Sequence, residues 1–345
     1  MNLHSVTSSS TKSVLTAPQV TEAVEMFLSL PRLRLTNLNT PIERLRRLQQ
    51  RIPGAPRLYI KRDDLTGYFG GGNKLRKLEY VMADALSENA TTVITTGSIT
   101  SNLARTTAAV AKRLGLKCVL VLNGGDPKSA RANSRVAELL NVEVHSVGSR
   151  QERDEKMREL TEELERAGER VYKIPLGASN DIGSFGMVAA MEEVIVQQLE
   201  LGEQFDAIVF ATSSGGTQAG LEVAKRVLGL DTLRILGVSA DDPASEIKDA
   251  SLRAINPMLK KLGLPNVVGA HDLEVDDEFI GDGYGINTSE SSEAMKLFAD
   301  TEGILLDPVY VSKGAAGLIS YCRRGAFNEN DRVLFWHTGG TMTLF

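Results

Sequence analysis

The feature that most constrains this chain is a recurring pair, a short apolar run followed by a small-residue turn and a helical pattern. The clearest instance is "FDAIVFAT" (205–212), then "SSGGTQAG", then "LEVAKRVLG". A run that is apolar at nearly every position suits a strand buried on both faces, as parallel sheets require. The pair recurs as "TTVITTG" (91–97) before "LARTTAAVAKRLG" (103–115), and as "KCVLVLNGG" (117–125) before "SARANSRVAELLN" (129–141). "RLYIKRDDL" (57–65), "VEVHSVG" (142–148), "VYKIP" (171–175), "LRILGVSA" (233–240) and "DRVLFWHTGG" (331–340) read as further strands. Residues 74–89 and roughly 185–200 read as helices. Alternating βα units imply an α/β fold, a mostly parallel sheet with helices on both faces. Such sheets bind ligands at the carboxyl ends of their strands. A length of 345 residues fits about two domains. No linker is visible, so one domain is expected to be inserted in the other.

Composition removes several function classes. The chain has 39 basic and 44 acidic residues, a net charge of −5, which argues against a nucleic-acid partner. No apolar run reaches the ~20 residues that span a bilayer, so no membrane role is expected. Two cysteines, Cys118 and Cys322, exclude a disulfide framework and a cysteine-rich metal site. A soluble, cytoplasmic enzyme without a metal is the expectation. Residues 1–20 are rich in Ser and Thr and read as a flexible tail. In "TNLNTPIERL", Thr40 is expected to N-cap a helix with Pro41 at its first position. The charge-dense stretch 150–170 reads as a solvated helix face with no further role. His145, Cys118 and Trp336 read as structural residues, and His337 as either a core residue or a neighbour of a ligand.

Three loops could carry chemistry. Ser213-Ser214-Gly215-Gly216-Thr217 lies between a strand and a helix. Its small residues let a ligand approach the backbone, and the helix N-terminus offers unpaired N–H groups to an anion. A plain βα turn with capping residues is the alternative. The loop lacks the Walker A lysine and the G-x-G-x-x-G pattern, so a phosphorylated cofactor other than ATP or NAD comes first. Gly70-Gly71-Gly72-Asn73-Lys74 places a lysine beside flexible backbone, where it could form a Schiff base with an aldehyde. An exposed lysine opening a helix is the bland reading, although the helix dipole disfavours a cation there. In "GSITSN" (97–102), Ser101 and Asn102 stand where a helix begins, and capping would account for one of them.

Taken together, "KRDDLTGYFGGGNKLRKLEY" (61–80), "TTGSITSNLARTTAAVAKRLGLKCVLVL" (95–122), "SSGGTQAGL" (213–221) and "TEGILLDPVYVSKGAAGLI" (301–319) resemble the pyridoxal-phosphate (PLP) enzymes of fold type II, the tryptophan-synthase-β type. Within them the chain resembles the group of 1-aminocyclopropane-1-carboxylate (ACC) deaminase and D-cysteine desulfhydrase. The motifs follow the family's order from about residue 57 to 340. The resemblance implies two three-layer αβα domains. A large PLP-binding domain would comprise 1–76 and 175–345, and a small inserted domain, 77–174, would close over the site.

The resemblance also implies roles. Lys74, preceded by Asn73 in G-G-N-K, would be the Schiff-base lysine and the base that moves the α-proton. Asn102 would hydrogen-bond the cofactor's ring hydroxyl, and Ser101 would contact the substrate carboxylate or, in the deaminase, take part in ring opening. Ser214, Gly215, Gly216 and Thr217 would hold the phosphate. Tyr310 of "DPVY" and Tyr284 of "DGYGIN" would line the substrate pocket, and Thr338 of "HTGG" would lie near the pyridine nitrogen. The implied activity is α-proton abstraction and β-elimination on a small amino acid such as D-cysteine, in a homodimer. ACC deaminase, a β-replacement enzyme or a non-catalytic PLP-binding homologue are the alternatives. Three positions depart from the family pattern. Val311 stands where the deaminase has Glu, which counts against ACC. Thr100 stands where the family has Gln, and Leu103 where desulfhydrases often have His. Both alter the substrate-side wall and leave another small amino acid open.

Overall fold

Helices and strands alternate along the residues that this computed structural model describes, 15–37, 39–68, 70–124, 132–266 and 268–345. In chain order the elements begin with α1 (Ala17–Leu28), β1 (Ile42–Arg44), α2 (Arg46–Arg51), β2 (Arg57–Arg62) and α3 (Asn73–Ser87). There follow β3 (Thr92–Ser98), α4 (Asn102–Leu114), β4 (Lys117–Asn123), α5 (Ala132–Leu139), β5 (Glu143–Val147), α6 (Arg150–Arg166) and β6 (Val171–Ile174). The chain then runs through α7 (Asp181–Leu201), β7 (Ala207–Thr212), α8 (Gly216–Val227), β8 (Arg234–Ser239), α9 (Ala244–Lys261) and β9 (Glu274–Asp276). It ends with α10 (Ser289–Glu302), α11 (Val311–Arg323) and β10 (Arg332–His337).

Among the described residues the strands form two sheets. The larger has the order β1-β2-β10-β7-β8-β9 and the smaller the order β5-β4-β3-β6. Every pairing is parallel except β1 with β2. The strands of the smaller sheet are consecutive and fall between β2 and β7 of the larger, as an insertion would place them. Neighbouring residues of each strand serve opposite faces, because side chains alternate across a strand. Ile208 and Phe210 of β7 enter the core formed with α7, α8 and α9, whereas Ala207 and Val209 enter the core formed with α10 and α11. In the smaller sheet Val93 and Leu120 face α3 and α4, and Ile94 and Val119 face Leu160 and Leu164 of α6. Each sheet is therefore the middle of three layers, consistent with apolar strands that leave no polar face for water.

Two expectations near the N-terminus change. Residues 1–14 lie outside the described residues, but the expected tail ends early, because α1 starts at Ala17. Its signal was in the sequence: Thr16 and Gln19 form a capping box, with Pro18 in the first turn. The second change is at Thr40-Pro41, which opens the strand β1 rather than a helix. Pairing with β2 overrides the local preference: Arg62 N donates to the Pro41 carbonyl, and Thr40 Oγ1 donates to the buried Asp63 carboxylate instead of capping.

Asp63 anchors the end of β2 under the site. It accepts two bonds from Arg76 of α3 and one from Trp336 Nε1 of β10, at 2.7–2.9 Å. Glu193 of α7 completes the network by pairing with Lys61 and Arg76. Buried charges persist only when paired and hydrogen-bonded, and here they tie α3 to the strands beside it. Trp336 is thus a core residue with a specific partner. His337 is also core: its Nδ1 accepts from Gly339 N–H and its Nε2 faces the Leu305 carbonyl at 2.9 Å. Both cysteine thiols are buried and free, and burial pushes each up to about 12.

Candidate active site

A cavity of about 240 Å³ opens between the carboxyl ends of the two sheets. Its floor is the turn between β2 and α3. Gly71 there has φ of +63°, and a Cβ would lie 2.0 Å from the Asp64 carbonyl oxygen. Only glycine fits such a left-handed, backbone-crowded position. The turn also packs on the strand end after β10, where the Asn73 N–H donates to the Thr338 carbonyl at 2.9 Å. This arrangement projects Lys74 into the cavity, where its Nζ lies 3.4 Å from the Gly177 carbonyl. Burial lowers the Lys74 amine from its usual 10.5 to about 8, against the pull of Asp241. An amine in this range is neutral often enough to act as nucleophile or base near neutral pH.

The wall opposite is the turn from β7 into α8. Gly215 caps α8 with φ of +76° and no side-chain cap, so the first N–H groups of this helix keep their donor capacity. Ser214 and Thr217 line the cavity, and Asn73 Nδ2 donates to Thr217 Oγ1 at 3.0 Å. Gly216 stands behind this wall: a Cβ there would meet Ser179 Oγ at 2.4 Å and Lys77 Nζ at 2.7 Å. Lys77 is completely buried, and burial, then the Lys74 charge, pushes its amine well below the usual value. Its Nζ lies 3.3 Å from both the Gly177 carbonyl and Ser179 Oγ. Ser179 Oγ is in turn 2.8 Å from Ser214 Oγ. A half-buried lysine, a fully buried one, an uncapped helix N-terminus and a run of hydroxyls converge here, and among the described residues no carboxylate forms an ion pair with Lys77. A site of this composition fits a phosphate group.

The side wall comes from the smaller sheet. Ser101 N-caps α4, accepting from Ala104 N–H at 3.2 Å, and lines the cavity with Asn102 and Leu103. Asn102 Oδ1 is buried without a hydrogen-bond partner. Such an orphan amide in a cavity wall fits a site whose polar ligand completes it. The Tyr284 hydroxyl lies 2.9 Å from Ser98 Oγ and 3.2 Å from Thr100 Oγ1, and it is hydrogen-bonded to the Tyr310 hydroxyl. Burial raises the Tyr310 hydroxyl well above its usual value, so it stays protonated at neutral pH. Thr338 also lines the cavity. Val311 does not reach it: its side chain is fully buried in the apolar cluster between β7 and α11, and its N–H donates to Asp307.

The residues expected from the sequence therefore meet in one place, with Gly216 just behind the surface. Sequence reasoning missed others. Lys77 follows Lys74 by three residues, so it stands one helical turn on along the same face, a spacing readable in N-K-L-R-K. The stretch 150–170 is mostly the solvated helix expected, but its first turn is not. Arg150 and Arg153 line the cavity, as does Asp241 after β8. Arg150 pairs with Asp241 and Asp242, joining α6 to the larger sheet.

Known proteins resemble this chain over most of its length. Residues 33–339 match the pyridoxal-phosphate dependent enzyme family. The D-cysteine desulfhydrase of Salmonella typhi is 39% identical over 320 residues, which are 91% of this chain and 95% of the relative. The structure of an ACC deaminase homologue superposes with a TM-score of 0.85 at 35% identity, covering 94% of this chain and 96% of that one. A threonine deaminase from Solanum lycopersicum shares the fold, with a TM-score of 0.63 at 21% identity and coverage of 95% and 86%.

Proposed function

This chain belongs to the pyridoxal-phosphate-dependent enzymes, and from that premise we propose that it is a lyase that removes the α-proton of a small amino acid and expels a β-substituent, with D-cysteine the first substrate to test. The observation that carries the reading is the meeting of a lysine lowered to about 8 with a phosphate cradle in one cavity. Lys74 would hold the cofactor's aldehyde carbon. Ser214, Gly215, Gly216 and Thr217 would hold its phosphate, with Lys77 as counter-charge. Asn102 would face the ring hydroxyl and Thr338 the ring nitrogen. When bound, pyridoxal phosphate supplies an electron sink for the charge left at Cα.

The remaining work falls to the chain. The N-terminus of α4, with Ser101, would orient the substrate carboxylate, since a helix N-terminus favours an anion. Lys74 Nζ would take the α-proton. The protonated Tyr310 hydroxyl, held by Tyr284, would donate to the departing group. D-Cysteine and water would give pyruvate, ammonium and sulfide. Residues 77–174 would act as the small domain that closes over the site and excludes water, with Arg150 latched to Asp241 and Asp242. We place the enzyme in the cytoplasm as a homodimer; no helix among the described residues is long and apolar enough to cross a membrane. Val311, sealed in an apolar cluster, offers no carboxylate for ACC ring opening and keeps that activity second.

The test is spectroscopic and then chemical. The purified protein should show a visible absorption band that Lys74→Ala abolishes. It should release sulfide and pyruvate from D-cysteine. A protein that cannot take up pyridoxal phosphate, or that takes it up and turns over neither enantiomer of cysteine or β-chloroalanine, would refute the reading.

A further inference from the structure

The charges around the cavity do not balance on the roles given so far. Among the described residues, those lining it include three cations, Lys74, Arg150 and Arg153, and one carboxylate, Asp241. Arg150 is accounted for by Asp241 and Asp242, at 3.3 and 2.8 Å. Lys77 and the N-terminus of α8 answer a phosphate, and the N-terminus of α4 answers an α-carboxylate. Arg153 remains. It is 7% exposed, so more than nine-tenths of it is buried. Its one hydrogen bond among the described residues is a long one, from Nε to the Arg150 carbonyl at 3.5 Å. Asp154, next along the helix, attracts it from a distance but forms no ion pair with it, and the charge of Arg150 repels it. It shares the cavity lining with Tyr284 and Tyr310, and it stands one helical turn after Arg150, whose partner Asp241 lines the cavity as well.

A guanidinium is not neutralised by losing its proton in proteins, so burial without a counter-charge is costly unless a ligand supplies one. Its planar fork matches the two oxygens of a carboxylate or another oxyanion. We infer that Arg153 favours, among the small α-amino acids the site can take, those carrying a second anionic group, an oxyanion on the side chain. The inference rests on the lyase reading for the place of the α-carboxylate at α4. A neutral side chain would leave Arg153 buried and uncompensated, whereas a side-chain oxyanion would complete the charge balance.

The experiment is a titration of the pyridoxal-phosphate-loaded protein with aspartate and with alanine, each as both enantiomers, by calorimetry. Wild-type protein should bind aspartate of the preferred configuration at least tenfold more tightly than the matching alanine. In Arg153→Gln that ratio should fall below twofold. In Arg153→Lys, which keeps the charge but not the fork, it should be intermediate, and this variant decides the matter should Arg153→Gln fail to fold. A wild-type ratio below twofold, or a ratio that survives either substitution unchanged, would overturn the inference. Equal loss of aspartate and alanine binding in Arg153→Gln would also overturn it, because Arg153 would then hold the α-carboxylate. If the preference is present but no cysteine or β-chloroalanine enantiomer is turned over, the inference stands and the lyase reading falls.

Discussion

Replacing Lys74 by methionine should stabilise the cofactor-free protein near neutral pH, and the gain should vanish in alkali. The reason is the desolvation of the lysine's amine in the cavity wall. Its amine falls from 10.5 to about 8, chiefly through burial. Below pH 8 the lysine is charged in both folded and unfolded chains, so the folded state carries the full cost of the buried charge. Between about 8 and 10.5 the folded amine loses its proton first and the cost fades. Above 10.5 both states are neutral and nothing remains. At about 1.4 kcal/mol per tenfold change in proton affinity, the depression is worth about 3 kcal/mol, softened to about 2 kcal/mol by water in an open cavity. Methionine keeps the length of the stem and carries no charge. The bond it forfeits, from Nζ to the Gly177 carbonyl at 3.4 Å, is weak, and Lys77 still donates to that oxygen. The assay is urea denaturation of both cofactor-free proteins, followed by circular dichroism at pH 7 and pH 10.5. Other groups titrate in this range, but the difference between the two proteins cancels most of them. If Lys74→Met is no more stable than wild type at pH 7, or if its advantage is the same at both pH values, the lysine is not depressed and the argument fails.

Three further outcomes follow from the same geometry. Lys77→Met should weaken pyridoxal-phosphate retention at least tenfold, read by equilibrium dialysis, because the phosphate loses its buried counter-charge; unaltered affinity would remove Lys77 from the cradle. Gly216→Ala should also impair retention, since its Cβ would press on Ser179 and Lys77; the folded protein's dissociation constant is the readout, and an unchanged value would show that the loop relaxes freely. Trp336→Phe should cost about 1–3 kcal/mol of stability in denaturant unfolding, because it removes a donor from the buried Asp63 carboxylate; a loss under 0.5 kcal/mol, about the scatter of a neutral surface change, would mean that Arg76 satisfies that carboxylate alone.

How much of this could be read in advance depended on how local the signal was. The αβ alternation was legible because strands buried on both faces must be apolar throughout, as "AIVFAT" is. Lys74, Asn102 and the Ser214–Thr217 turn were legible because each sits where a strand ends and a helix begins, a junction marked by small residues and caps. The failures were of the opposite kind. Thr40-Pro41 carries the signature of a helix start, yet hydrogen bonds to Arg62 and Asp63, about twenty residues away in sequence, draw it into a strand. Nothing near Arg153 in sequence distinguishes it from the charges beyond the first turn of α6, which face water as expected. Only the packing of the smaller sheet beside the larger brings the first turn of α6 to Asp241 and the cavity. Asp241 was missed for the same reason: its partners, Ser213 and Arg150, come from separate segments.

The sequence alone thus determined the layers, the position of Lys74 at a strand-to-helix junction and a small-residue loop open to an anion, because periodicity and backbone freedom are written in neighbouring residues. The tertiary structure decided which charges share the cavity, and with them the lowered Lys74 amine, the buried Lys77 and an Arg153 that no carboxylate among the described residues pairs with. Desolvation and charge pairing depend on distances through space, and those distances exist only once residues far apart in the chain have been brought together.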